Sequence, residues 1–213
     1  MARGLSESIV VTSFALEQDL KMDTKSSIGS TSRKSADAAE AKDIMPLPDA
    51  DTEVKASSEA AEIFVNNYYQ AINSKAKLET YYINSSTRYS IPADISINGS
   101  VVPTPAEYSK LLESQGENVL YEIESLDSHI INPSFQYGAP DTVYESEKNE
   151  KSGRRMSIVV TTMGKVRFGK GREAPQKMFN ETFVLVPNWD AMARNPARGL
   201  KRWLIMSQNF RAL

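Results

Sequence analysis

Apolar residues recur every three or four positions over residues 61–72, which is the spacing of an amphipathic helix. Ser57 or Ser58 can cap its N-terminus, and Asn73 follows its last apolar residue, so we expect the helix to begin near Ser57. A shorter second helix is predicted over residues 78–82, where Leu and Tyr side chains cluster. This part of the chain therefore indicates two consecutive helices.

Two short motifs then predict a hairpin and a third helix. Asn98 and Gly99 separate two apolar stretches within residues 95–101, and Asn-Gly accepts the positive φ angles of a type I′ hairpin turn. Residues 104–107 read Thr-Pro-Ala-Glu, a capping box with proline at the first helical position. We expect a helix to begin there and to be closed by Gly116.

The remaining chain alternates in the period-two manner of β-strands. The predicted long strands cover residues 121–131, 156–168, 178–187 and 202–210. Long loops are expected between them at 134–155 and 188–201, where Gly, Pro and mixed charges are frequent. The order of elements indicates an α+β protein with helices first and a sheet after them.

The last two strands are apolar on both faces. Phe183 and Leu185 alternate with Val184 and Val186 in one strand, and Trp203 and Ile205 alternate with Leu204 and Met206 in the other. A sheet with one solvated face shows a cleaner alternation than this. Because the predicted helices suffice for one face only, we expect the second face to bind a partner or to be covered by a further layer of the same domain.

Composition divides the chain into a tail and one domain. Residues 1–52 are rich in Ser, Thr, Ala, Lys and Asp and are predicted to be a disordered tail, leaving residues 53–213 as the folded domain. The sequence predicts a soluble protein with no signal peptide and no membrane helix. With no cysteine and one histidine, it offers no zinc constellation, and we expect neither a metal nor a cofactor.

Asp127 and the single histidine, His129, are the strongest candidates for chemistry. Two residues apart on one strand, they are expected to share a face. With Tyr121 polarising a carbonyl group, such a pair can perform acid–base catalysis, as in an isomerase or dehydratase. The alternative is that they make buried or interfacial polar contacts, and we give that alternative the greater weight. Neither a nucleophile elbow nor a Walker loop supports an enzyme.

A basic segment lies at the end of the predicted strand 156–168. Lys165, Arg167, Lys170 and Arg172 are interspersed with glycines at 164, 169 and 171. This pattern suits a strand that ends in a basic hairpin loop, which either is simply solvated or contacts RNA phosphates. Residues 134–213 hold 14 Lys or Arg against 7 Asp or Glu, whereas residues 53–133 hold 5 against 11. This asymmetry fits a polyanionic partner or two complementary faces of one domain.

These elements occur in the order of the nuclear-transport-factor-2-like family, and several stretches resemble it. They are residues 64–69 in the opening helix, the Asp-Ser-His of 127–129, the hairpin of 164–168 and 179–185, and the closing strand of 203–211. The resemblance covers residues 57–213. It implies a cone in which a curved antiparallel sheet carries about three helices on one face.

Within that family the chain is most similar to the small subunit of the mRNA export receptor, the mRNA transport regulator family of fungi. This resemblance implies a non-catalytic subunit that pairs with a large export subunit through the sheet face, binds Phe-Gly nucleoporins, and shuttles between nucleus and cytoplasm. Asp127 is then expected to pair with an arginine of the large subunit. The expected partner-binding residues are Asp127, His129, Ile123, Phe183, Leu185, Trp203 and Ile205. A homodimeric carrier of Ran-GDP is the remaining alternative, disfavoured by the basic C-terminal part.

Overall fold

The computed structural model describes residues 48–132, 153–193 and 195–213. Helix α1 spans Ala50–Asn73 and α2 spans Pro105–Ser114, and two 3₁₀ turns follow α1 at Glu79–Tyr81 and Ile83–Ser85. The strands are β1 Asp94–Ile97, β2 Ser100–Val101, β3 Val119–Asn132, β4 Ser157–Phe168, β5 Gln176–Pro187 and β6 Trp203–Ala212. Within the described ranges, no helix is long and apolar enough to cross a membrane.

Helix α1 begins earlier than the apolar spacing predicted. Asp49 caps it by accepting the Thr52 N–H at 2.8 Å, and Asp51 and Glu53 place negative charge in its first turn. The prediction of a start at Ser57 was therefore wrong, because polar capping residues extend the helix beyond its apolar stripe. Most of the predicted tail, residues 1–47, lies outside the described residues, while residues 50–52 are already helical.

The other local predictions are largely confirmed. Thr104 caps α2 by accepting the Glu107 N–H at 3.2 Å, and Asn98 and Gly99 take φ angles of 52° and 87° in the β1–β2 turn. The predicted second helix is instead the pair of 3₁₀ turns, so two α-helices are present in the described ranges where about three were expected. The predicted loop at 134–155 lies outside the described residues up to position 152.

Six strands form one sheet in the order β2-β1-β6-β5-β4-β3. All neighbours are antiparallel except β1 and β6, which pair in parallel, so the sheet is mixed and the expectation of a purely antiparallel sheet needs this correction. Bulges interrupt β3 near Glu124 and β6 near Met206, and each bulge bends its strand.

One face of the sheet, called here the helix face, packs against α1. Phe64 and Tyr68 of α1 each contact Phe183 edge to face with ring centroids 5.1 Å apart. Ile158, Val160 and Phe183 are fully buried on this face. The residues that alternate with them on β4 and β5 lie on the opposite face, which we call the open face.

The doubly apolar ends of β5 and β6 are buried within the chain itself. Val186 and Leu204 alternate with Leu185 and Ile205, yet all four have no exposed surface. The expectation that this second apolar face needs a partner was therefore wrong at these positions. A partner surface has to be sought further along the open face, where side chains remain accessible.

Candidate partner-binding face

A bulge in β3 decides which residues reach the open face. Ile123 is aligned with Gly164, but Ser125 is aligned with Met163, so Glu124 is an extra residue between them. Because one extra residue reverses the alternation, Ile123 lies on the helix face and Ser125 on the open face. Ile123 is half-buried against the core on the helix face, so it does not share the open face with Asp127.

Asp127 and His129 lie beyond this bulge and point to the open face. His129 Nε2 lies 2.9 Å from Asp127 Oδ2, and Asp127 Oδ1 accepts the Ser128 N–H at 2.8 Å. The Asp127 side chain is 70% exposed and the His129 side chain is 71% exposed. The carboxylate is thus held in a fixed orientation while remaining open to solvent, so a cation from another molecule can reach it.

Next to Asp127, the open face carries a strip of apolar and hydroxyl side chains, which we call the open-face strip. Its members are Val159, Thr161, Met163, Thr182 and Val184. Thr161 is aligned with both Asp127 and Thr182, and the two threonine hydroxyls lie 3.5 Å apart. Met163 is 43% exposed. The strip offers small apolar contacts beside one exposed carboxylate.

Ion pairs occupy the part of the open face beyond the strip. Lys165 forms a salt bridge with Glu124, and Arg167 Nη2 lies 3.6 Å from Glu122 Oε1. Alternation along β3 and β4 places Glu122 and Arg167 on one face, and Glu124, the extra residue of the bulge, reaches Lys165 from beside them. Lys165 and Arg167 therefore already form ion pairs with carboxylates of their own chain.

The other two basic residues of that segment lie apart from these pairs. Lys170 and Arg172 are exposed in the turn that joins β4 to β5. The structure thus divides the four predicted RNA-contacting side chains into two on the sheet and two on the turn.

Three of the predicted partner-binding residues belong to the core. Phe183, Leu185 and Ile205 lie on the helix face and have no exposed surface that a partner could contact in this structure. Trp203 is half-buried on that same face, and its Nε1–H donates to the Met156 carbonyl oxygen at 3.3 Å. Of the seven predicted residues, only Asp127 and His129 reach the open face.

The arrangement required for catalysis is not assembled. Tyr121 is buried on the helix face, where its hydroxyl donates to Gln115 Oε1 at 2.9 Å and burial raises its pKa to about 12. Asp127 and His129 lie on the opposite face, where their side chains are 70% and 71% exposed. Among the residues that the structure describes, no group of three His, Asp or Glu could hold a metal ion.

The interior of the domain holds a buried polar network. Glu181, fully buried on the helix face of β5, accepts hydrogen bonds from the Tyr69 hydroxyl and, at 2.6 Å, from Gln208 Nε2. Burial raises the pKa of Glu181 to about 7, and the two hydrogen bonds oppose this rise. Tyr68 and Tyr82 complete the network through Gln208, at 3.0 and 2.5 Å. These polar groups therefore find their hydrogen-bond partners among one another in the interior.

Comparison with solved structures decides the family. No protein-family model and no curated protein matches the sequence. A chain in a structure described as "Sac3N peptide bound to Mex67:Mtr2" is 33% identical, with a TM-score of 0.66, covering 74% of this chain and 99% of that one. A chain in the complex of the Chaetomium thermophilum Mex67 NTF2-like domain with Mtr2 is 34% identical over the same shares, with a TM-score of 0.64. The structure of Mtr2 gives 31% identity, again over 74% and 99%, and a TM-score of 0.63.

The chain belongs to the Mtr2 family.

Membership in the Mtr2 family confirms the resemblance and the fold predicted from the sequence. It does not assign roles to individual residues. The Mtr2-family chain nevertheless carries two features that the sequence prediction missed, namely the open-face strip and the network around Glu181. A sequence signal existed for the second, because period-two alternation places Glu181 on the same face as Phe179 and Phe183.

Proposed function

We propose that this chain is the small, non-catalytic subunit of a heterodimeric mRNA export receptor. In this proposal it binds the NTF2-like domain of a large subunit through the open face of its sheet. The observation that carries the proposal is the likeness to Mtr2, which is found in complex with the Mex67 NTF2-like domain. The open face supports it, because Met163 and Asp127 are both exposed there, 43% and 70% respectively.

The open-face strip suits a second sheet as partner. Val159, Val184 and Met163 supply apolar contacts, and a sheet packing face to face buries such alternate residues. Asp127 stands at the border of the strip and would pair with an arginine of the large subunit. A guanidinium group can bind a carboxylate in two-pronged fashion, and exclusion of water at the interface strengthens that pair.

The function in the cell follows from this pairing. We propose that the heterodimer passes through nuclear pores by contacting Phe-Gly nucleoporin repeats and thus moves between nucleus and cytoplasm. Direct RNA contact is proposed for Lys170 and Arg172 only, since the turn keeps both exposed. Lys165 and Arg167 are less suited to RNA because Glu124 and Glu122 already neutralise them.

Co-purification tests the proposed function. The full chain is expressed together with a Mex67 NTF2-like domain that carries the only affinity tag, and the eluate is analysed by size-exclusion chromatography with light scattering. We expect a one-to-one complex. Elution of this chain as a separate monomer would rule out the role as a partner subunit.

A further inference from the structure

A second accessible surface lies on the helix side of the domain, away from the open face. It is a groove between α1 and the segment that leads into β6, with a volume of about 430 Å³. A second depression of about 350 Å³ shares Ala60, Ile63, Arg202 and Trp203 with it and continues toward the start of α1. The combined groove follows α1 from Thr52 to Asn67, about 22 Å at the rise of an α-helix.

The floor of this groove is apolar and accessible. Ile63 is 58% exposed on α1, and Leu200 is 41% exposed on the opposite wall. Half-buried Trp203 lines both depressions. Large exposed apolar side chains gathered in a concave site are typical of a binding surface, whereas single exposed ones are ordinary.

The rim of the groove is basic. Lys55, Lys201 and Arg202 line it, and Glu59 is the one carboxylate among the described residues that do so. The Lys201 ammonium group is held over the Tyr81 ring, 4.6 Å from its centroid, which fixes a positive charge at one end. An occupant therefore gains from negative charge as well as from an apolar side chain.

We propose that this groove binds an acidic peptide segment of another protein, with one large apolar side chain seated between Ile63, Leu200 and Trp203. An extended segment of about seven residues spans the groove at the rise of a β-strand. Acidic residues on either side of the anchor face Lys55 at one end and Lys201 at the other. Such an elongated shape with apolar floor and charged ends fits a short linear segment better than a compact small molecule.

The groove and the open face lie on opposite sides of the sheet. Helix α1 packs on the helix face, whereas Asp127 and Met163 lie on the other face. An acidic segment bound along α1 therefore leaves the proposed heterodimer surface free. The inference does not depend on the proposed function, and the two can fail separately.

Selection from random peptides tests the inference without choosing a ligand in advance. The full chain is immobilised and used to select twelve-residue peptides from a phage-displayed library. An enriched peptide is then synthesised with a fluorescent label, and its affinity is measured by fluorescence polarisation. We expect enriched peptides to combine an aromatic or large aliphatic residue with several Asp or Glu residues.

Two variants locate the binding site. Ile63→Glu should weaken the selected peptide about tenfold or more, because it places a carboxylate on the apolar floor. Leu111→Glu is the matched control, since Leu111 is an exposed leucine, 45% accessible, on α2 outside the groove. The proposal would be overturned if no peptide is enriched or if the enriched peptides lack acidic residues. It would also be overturned if Ile63→Glu and Leu111→Glu lose peptide affinity to the same extent. Asp127→Arg should bind the peptide as tightly as the unmodified chain. Peptide binding in the groove can therefore be tested independently of heterodimer formation.

Discussion

The Tyr69 hydroxyl donates a hydrogen bond to the carboxyl group of Glu181 in the middle of the core, although the two residues are 112 positions apart. Glu181 has no exposed surface, and its burial raises the pKa of the carboxyl group from 4.5 to about 7. The folded protein therefore holds a proton on Glu181 at pH values where the unfolded chain has already released it. This contact ties α1 to β5 and makes stability depend on pH.

The free energy of unfolding should fall as pH rises from 4.5 to 7. A raised pKa favours the protonated folded state, so this contribution is fully present below pH 4.5 and is lost as pH passes about 7. The rise in the pKa of Glu181 from 4.5 to about 7 corresponds to a decrease of about 3 kcal/mol in the free energy of unfolding. Urea denaturation across this range measures it.

Glu181→Gln is the matched variant for this prediction. Glutamine has the same shape as glutamate and can keep the hydrogen bonds to both Tyr69 and Gln208. Its amide group can donate to the Tyr69 hydroxyl, because a hydroxyl can accept as well as donate. The difference in stability between the two proteins cancels the titration of other groups, such as Asp190, whose pKa is lowered mainly by a hydrogen bond from Ser86. An equal pH dependence in both proteins would show that Glu181 does not hold the proton.

Gly164 should tolerate no side chain. A Cβ atom at this position would lie 2.2 Å from the Glu122 carbonyl oxygen of β3, so Gly164→Ala must push the two strands apart next to the bulge. We expect a loss of about 3 kcal/mol in unfolding free energy. Gly116→Ala is the comparison: its Cβ meets nothing within 4 Å, and it should cost about 1 kcal/mol through its positive φ angle alone. Similar losses of unfolding free energy in the two variants would mean that the close approach of Gly164 to the Glu122 carbonyl oxygen does not matter for stability.

The apolar periodicity predicted where the strands lie, but it did not predict which face of the sheet each side chain occupies. The four long strands are present, because apolar alternation reports which segments can form a sheet. The extra residues Glu124 and Met206 leave no mark on that pattern, yet each reverses the alternation of the residues beyond it. For this reason Ile123 was assigned to the face of Asp127, whereas the structure places them on opposite faces.

The predicted partner-binding residues divide between the core and the open face for a second physical reason. Strong apolarity marks burial, and the sequence cannot tell burial in the same chain from burial against another. Phe183, Leu185 and Ile205 are the core, while the accessible strip is made of smaller and more polar residues such as Thr161 and Thr182. Asp127 and His129 are exposed as expected, because charged and polar residues in a strand signal a solvent-facing position.

Trp203→Ala should weaken folding and leave heterodimer affinity unchanged. Trp203 lies on the helix face, half-buried, with its indole N–H bonded to Met156. Truncation removes that contact and apolar packing, at a cost of about 2 kcal/mol. Thermal unfolding and titration against the Mex67 NTF2-like domain separate the two effects. A stable variant with reduced affinity would place Trp203 at the interface after all.

Asp127→Arg should prevent pairing with the large subunit. The new side chain would bring a cation against the proposed arginine of the partner in a surface that excludes water, which should reduce affinity about 100-fold or more. Because Asp127 is 70% exposed, the folded monomer should remain intact. Glu113→Arg on α2 makes the same charge change on an exposed residue outside the open face and should pair normally. Full co-elution of Asp127→Arg would refute the assigned salt bridge.

The central claim is that the open face, and not the helix side, binds the large subunit. Met163 and Leu126 test it as a pair, since they are 43% and 39% exposed on neighbouring strands but lie on opposite faces of the sheet. The measurement is calorimetric titration of Met163→Arg and Leu126→Arg with the Mex67 NTF2-like domain, after circular dichroism shows that both variants fold. We predict about 100-fold weaker binding for Met163→Arg and unchanged binding for Leu126→Arg. Unchanged affinity for Met163→Arg, or a loss confined to Leu126→Arg, would contradict it.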